Sequence, residues 1–98
     1  MTTHTITIAI VRPNTTIPFF DDTNADLIAF GKLLKALPGD TPGTTSADGL
    51  TWTHVMNFDD ATYAEWQSLA TAYQSTISVE FARKQAAGIT SSMTVTQS

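Results

Sequence analysis

No cysteine occurs among the 98 residues, so neither a disulfide nor a thiolate–metal site can staple the fold, and stability has to come from packing. Basic residues are scarce. Five Lys and Arg stand against nine Asp and Glu, a net charge of -4, which leaves no basic stripe of the kind a phosphate backbone requires; nucleic acid is excluded as an expected partner. No run of about 18 apolar residues exists, so no membrane span is expected. The opening stretch MTTHTITIAIVRP has no cationic region and no small-residue cleavage site, and it reads as the start of a folded domain made in the cytoplasm and left unprocessed.

What remains is an ordinary globular composition with an unusual surface. Apolar residues make up 42% and the mean hydropathy is -0.02, values of a chain that folds around one core. A single α+β domain spanning residues 1–98 is expected. Only 14% of residues are charged, while threonine fills roughly a fifth of the chain, so much of the surface is neutral and hydroxyl-bearing rather than charge-rich. Such a surface suits a protein that spends its life inside an assembly.

Hydrophobic periodicity marks the elements. In THTITIAIV, Ile6, Ile8 and Ile10 alternate with Thr5, Thr7 and Ala9, the pattern of a half-buried strand, closed by Arg12-Pro13. DDTNADLIAFGKLLKAL places Leu27, Phe30, Leu34 and Leu37 at helical spacing, with Ile28 and Leu33 widening the stripe. Thr23 with Asp26 predicts the cap of that helix, and Pro38-Gly39 its end.

Asp48-Gly49 predicts a two-residue type I′ hairpin turn between a weak edge strand, GTTSA, and a strong one in which Leu50, Trp52, Met56 and Phe58 share a face opposite Thr51, Thr53 and Asn57. Asp59 or Asp60 then caps a helix carrying Trp66, Leu69 and Tyr73, continued by Ile77, Phe81 and Lys84. A break is expected at Ser75–Ser78, a poor helix-forming run. Gly88 caps the end, and Ile89, Met93 and Val95 alternating with Thr90, Thr94 and Thr96 predict a last strand. The order β-α-β-β-α-β is the ferredoxin-like one, an antiparallel sheet with two helices on one face.

Candidates for chemistry are few. His4 and His54 each stand without a second histidine or a carboxylate at ligand spacing. His4 reads as exposed; His54 reads as a hydrogen-bonded core or rim residue, with a general base as the sharper alternative. The pairs Asp21-Asp22 and Asp59-Asp60 precede helices and read as caps before they read as metal ligands or an acid–base pair. No Gly-x-Ser-x-Gly elbow and no glycine-rich phosphate loop occurs. Trp52, Phe58, Trp66, Tyr73 and Phe81 fall where a core is expected, and Tyr63 with Trp66 could instead line a cavity. No catalytic residue, metal site or cofactor is expected.

Two surfaces remain as interaction candidates. One is the sheet face left open by the helices, with Thr5, Thr7, Thr51, Thr53, Thr94 and Thr96, which lacks the aromatics of an RNA platform. The other is RPNTTIPFF, where Pro13 and Pro18 withhold donors and favour an extended path. One of Phe19 and Phe20 is expected to pack near Leu27, leaving the other, with Arg12, for a neighbouring subunit.

VRPNTTIPFF, DGLTWTHVMNFDDATYAEW and ARKQAAGITSSMTV together resemble small uncharacterised proteins encoded among the virion genes of tailed bacteriophages. In that group an Arg-Pro segment with Pro-Phe-Phe follows the first strand, and a Gly-Leu-Thr strand leads into an acidic, aromatic helix. The resemblance covers most of the chain. Its motifs are short and carry no known chemistry, so it implies a structural or accessory virion protein contacting other virion proteins or copies of itself, and it transfers no catalytic residue. The alternative from the fold reading is a dimeric α+β-barrel that binds a small molecule or acts as a cofactor-independent monooxygenase, with His54 and Tyr63 lining its pocket. An intracellular inhibitor or adaptor is also compatible with the acidic balance.

Overall fold

The computed structural model describes residues 2–98. Its elements are β1 (His4–Val11), α1 (Ala25–Lys35), β2 (Thr44–Thr45), β3 (Thr51–Phe58), α2 (Asp60–Ala72), α3 (Gln74–Ala86) and β4 (Thr90–Gln97). The four strands form one antiparallel sheet in the order β2-β3-β1-β4. This is an α+β architecture with three helices where the sequence predicts two.

Register explains which residues are covered. Ile6 lies opposite Met56 and Val95, Ile8 opposite His54 and Met93, and Ile10 opposite Trp52 and Ser91. Opposite residues share a face, so the isoleucines of β1 and the large side chains of β3 form one apolar surface. Ile6, Leu37, Met56 and Phe58 are buried there, and Leu34, Tyr63, Trp66 and Leu69 pack onto them from the helices and their ends. Fully burying one such side chain contributes about 1.5–3 kcal/mol.

α1 begins one residue later than the sequence suggests. Asn24, not Thr23, is the cap: its side-chain oxygen accepts from the amides of Asp26 and Leu27. Thr23 is occupied by Asp21, whose carboxylate accepts from both its amide and its hydroxyl, a local turn that competes with capping. Ile28 and Leu33, expected to widen the apolar stripe, are exposed. The helix ends where Pro38-Gly39 predicts. Gly39 has φ 97°, and a Cβ there would lie 1.9 Å from the Asn57 carbonyl oxygen, so only glycine allows its own carbonyl to accept the Asn57 amide at 3.0 Å.

The hairpin turn is wider than predicted. Asp48 has negative φ and only Gly49, at 76°, is left-handed, which excludes type I′. Instead the Gly49 amide donates to Ser46 and the Ser46 amide to Thr51, while the Asp48 carboxylate accepts from the Ser46 hydroxyl and the Leu50 amide. The weak strand is weak in fact, since only Thr44 and Thr45 pair with β3.

The second helical stretch breaks at Tyr73 (φ -104°, ψ 20°), ahead of the predicted site. An unbroken helix over 60–86 would run about 40 Å, beyond the roughly 27 Å of an eight-residue strand, so the path must bend. Ser75 and Thr76 fall in the first turn of α3, where hydroxyl side chains are well tolerated. The inward face of α3 differs from expectation in part: Lys84 is buried, in phase as predicted, but Glu80 is buried with it, whereas Phe81 is 49% exposed. Two nitrogens of Arg83 donate to Glu80 Oε1 at 2.6 and 3.0 Å, which supplies the pairing a buried carboxylate needs.

Candidate functional site

The segment Arg12–Phe20 is held from within. The Arg12 guanidinium donates to the carbonyls of Gly49 (2.8 Å) and Ile17 (2.9 Å) and lies 4.1 Å over the ring of Phe19. It thereby ties the proline-bounded loop to the hairpin turn. Phe20 meets Trp52 edge to face at 5.0 Å, and Lys84 Nζ lies 4.6 Å from the centroid of the Phe20 ring. Arg83 donates to the Phe19 carbonyl at 3.2 Å. Phe19 lies under Arg12, and Phe20 touches β3 and α3 while staying 39% exposed.

Lys84 is the least ordinary charge in this cluster. Burial holds its ammonium below the usual lysine range, opposed by the neighbouring Glu80 carboxylate and reinforced by Arg83. Hydrogen bonding to Glu80 raises Arg83 above its ordinary value. The ring of Phe20 gives Lys84 a partial replacement for lost hydration. The group is an anchor of α3 on the Phe19–Phe20 segment.

Both histidines have carboxylate partners that no sequence spacing showed, and His54 is the hydrogen-bonded rim residue expected of it. His54 Nε2 lies 2.6 Å from Asp40 Oδ1, and His4 Nε2 lies 2.6 Å from Asp60 Oδ1. His4 is buried rather than exposed, stacked on Tyr63 with centroids 4.0 Å apart and planes 4° from parallel. Tyr63 in turn stacks on Trp66. The division of labour at Asp59-Asp60 is clear: Asp59 caps α2 through the Thr62 amide, and Asp60 reaches back to β1. Tyr63 and Trp66 pack on the core. No spacing in the sequence could find these pairs, because 56 residues separate His4 from Asp60 and a single bridge, Asp40 with Met56, brings Asp40 to His54.

The pairs serve as clasps. A carboxylate only accepts, so Nε2–H donates in each; one clasp joins the start of β1 to the start of α2, the other joins the chain after α1 to β3. Among the described residues, no group of three or more His, Asp or Glu side chains could hold a metal ion. A shallow groove between α1 and α2 is lined by Leu33, Leu37 and Leu69 with Glu65 and Ser68 at its polar side.

The uncovered sheet face gathers the remaining candidates. Thr5, Thr7, Thr51 and Thr53 all lie on it, with Thr5 beside Thr96, Thr7 beside Thr94, and Thr53 beside Thr44. Thr5 donates to Asn57 Oδ1 at 2.9 Å. Ala9 and Val55 complete a surface of methyls and hydroxyls without a formal charge. Trp52, which Phe20 touches, points to the opposite face, so the threonines and the Arg12–Phe20 segment form two separate surfaces and not one. Comparison with protein families, with curated proteins and with solved structures finds no match.

Proposed function

We propose that this chain is a non-enzymatic structural or accessory component of a phage particle, in the head decoration, neck, tail or baseplate, acting through protein–protein contacts. The observation that carries the reading is the uncovered sheet face. It is neutral, and its strand register sets Thr5, Thr7, Thr94 and Thr96 side by side. A face of this kind accepts a flat protein partner with little desolvation of charge. The resemblance of the Arg-Pro, Pro-Phe-Phe and Gly-Leu-Thr segments to small tailed-phage proteins supplies the kind of assembly, with synthesis in the host cytoplasm and residence in the virion.

The fold reading that accompanies it is ferredoxin-like. The antiparallel order β2-β3-β1-β4 supports that topology, with α2 and α3 serving as the one helical connection from β3 to β4, divided at Tyr73.

Mass spectrometry of purified particles made from the genome that encodes the chain tests the functional reading. The chain is expected at a fixed stoichiometry after density-gradient purification, and it is lost from particles when Thr7 and Thr53 are both replaced by Lys. Absence of the unaltered chain from purified particles would overturn the proposal. Saturable binding of a small apolar molecule by a face-to-face dimer would instead favour the barrel alternative.

A further inference from the structure

β4 closes one side of the sheet as a free edge eight residues long. All eight residues are exposed, and the sequence TSSMTVTQ contains no charge, no proline and no glycine. Charge, proline and bulges are the devices that normally keep edge strands from pairing. The register against β1 runs without a slip from His4 opposite Gln97 to Val11 opposite Thr90, so no bulge interrupts it. The other edge is guarded: β2 is two residues long and follows directly on Pro42-Gly43.

Backbone geometry fixes which groups of β4 are free. Thr3 and Ser98 exchange both amide–carbonyl bonds, at 3.0 and 3.1 Å. Bonded and non-bonded pairs alternate along an antiparallel ladder. Thr96, Thr94, Ser92 and Thr90 therefore turn their N–H and C=O groups toward β1, and Gln97, Val95, Met93 and Ser91 turn theirs outward. Met93 and Val95 are also 57% and 39% exposed, although the β1 residues opposite them, Ile8 and Ile6, belong to or pack against the core.

We propose that this edge pairs with the same edge of a second copy, antiparallel, about a two-fold axis at Thr94, giving one continuous eight-stranded sheet. The axis position follows from the free groups. Centred on Thr94, Met93 faces Val95 of the second copy and Ser91 faces Gln97, each twice by symmetry. These are the outward-turned residues, so all of their donors and acceptors are used. Centred on Met93 instead, the strand would leave the outward groups of Gln97 without a counterpart in β4. The Thr94 register also joins the exposed Met93 and Val95 of both copies into one apolar patch, while Thr94 meets Thr94 and Ser92 meets Thr96 on the uncovered face.

A second copy is the occupant this strand fits best, because two-fold symmetry supplies every match at once and no like charges are opposed. The inference goes beyond the virion reading and does not depend on it. Pairing leaves the threonine face open and doubles its width. A strand edge of about 27 Å buries less than the roughly 1,200–2,000 Å² of a standard interface, so the dimer forms in a concentration-dependent way.

The absence of cysteine makes a direct test available. Thr94→Cys would place the two thiols in a non-bonded pair with Cα atoms about 4.5 Å apart, inside the range a disulfide spans. Ser92→Cys puts the same thiol on the same face but four residues out of step with its own counterpart. Under mild oxidation the Thr94→Cys chain is expected to cross-link at least about tenfold faster than Ser92→Cys, as its higher effective concentration requires, and the Ser92→Cys/Thr96→Cys double variant should match it. In the cysteine-free protein, Val95→Lys should abolish the dimer seen by sedimentation equilibrium while circular dichroism stays unchanged. Equal cross-linking of the two single variants, a dimer that survives Val95→Lys, or a monomer at every concentration up to the millimolar range would each overturn the proposal.

Discussion

His54 Nε2 and Asp40 Oδ1 meet at 2.6 Å with only 11% and 12% of their side chains exposed. The contact joins β3 to the segment that leaves α1, beside Trp52 at 5.2 Å, and it substitutes for the ladder that the short β2 does not supply. Replacing Asp40 by Ala removes the acceptor and leaves a buried imidazole donor unpaired, a change that costs about 1–3 kcal/mol. Urea denaturation should show the midpoint falling with little change in slope, and Asp40→Asn should recover part of the loss.

Gly39 tests the same connection from the backbone side. A methyl group there meets the Asn57 carbonyl oxygen, which cannot move without breaking β3, and φ is 97°. Gly39→Ala is expected to destabilise the fold by more than about 1 kcal/mol. Gly31, whose Cβ would meet nothing within 4 Å, is the control: inside α1, Gly31→Ala should stabilise by about 0.5–1 kcal/mol. Opposite signs in thermal unfolding would verify both.

Phe19 and Phe20 are predicted to act alike in folding. Phe19→Ser removes the surface under Arg12, and Phe20→Ser removes the edge contact to Trp52 together with the cover over Lys84. Each should lower stability by roughly 1–3 kcal/mol from lost aromatic packing and cation–π contact. Trp fluorescence should respond to Phe20→Ser and much less to Phe19→Ser. A ring whose removal leaves stability untouched would be the one free for contact with a neighbouring subunit.

Lys84 sets the alkaline limb of the stability profile. Burial lowers its folded-state value below the unfolded one, so between the two values the unfolded chain binds more protons and stability rises with pH. The increase should appear as pH approaches the unfolded lysine value of about 10.4 from below. Lys84→Met should raise the melting temperature at neutral pH and flatten that rise, as measured by calorimetry across the range.

On the acidic limb, too, stability rises with pH. Asp59 is held below the usual carboxylate range by the Thr62 amide and then the Thr62 hydroxyl, Asp48 by the Ser46 hydroxyl and the Leu50 amide, and Asp21 by the Thr23 hydroxyl and amide. Their contribution is complete above the unfolded aspartate value of about 3.9 and is lost as pH falls through the lower folded values. Asp59→Asn keeps an acceptor at the cap and should remove its share of the acid sensitivity without a comparable loss at neutral pH.

Legibility followed the range of the interactions. The alternation of Ile6, Ile8 and Ile10 with Thr5 and Thr7, the run from Trp52 to Phe58, the stops at Gly39 and Gly88 and the frailty of β2 were all readable, because strand alternation and left-handed glycines depend on neighbouring residues alone. The cap of α1 was misread by one position, since Asp21 draws Thr23 into a turn that Asn24 escapes. Lys84 was placed inward as it is found, but Phe81 was misassigned to the core because α3 turns Glu80 inward in its stead, an orientation that the Arg83 fork makes tolerable.

By itself, then, the sequence determined the α+β class, one apolar face for β1 and β3, a threonine face opposite, and a charge-free last strand; each of these is a matter of period and composition. Tertiary structure alone decided the partners of His4, His54, Arg12 and Lys84 and left β4 at the edge with Met93 and Val95 uncovered. Those contacts join residues far apart in the chain, and their position is set by how the sheet orders its strands, a quantity that no local pattern encodes.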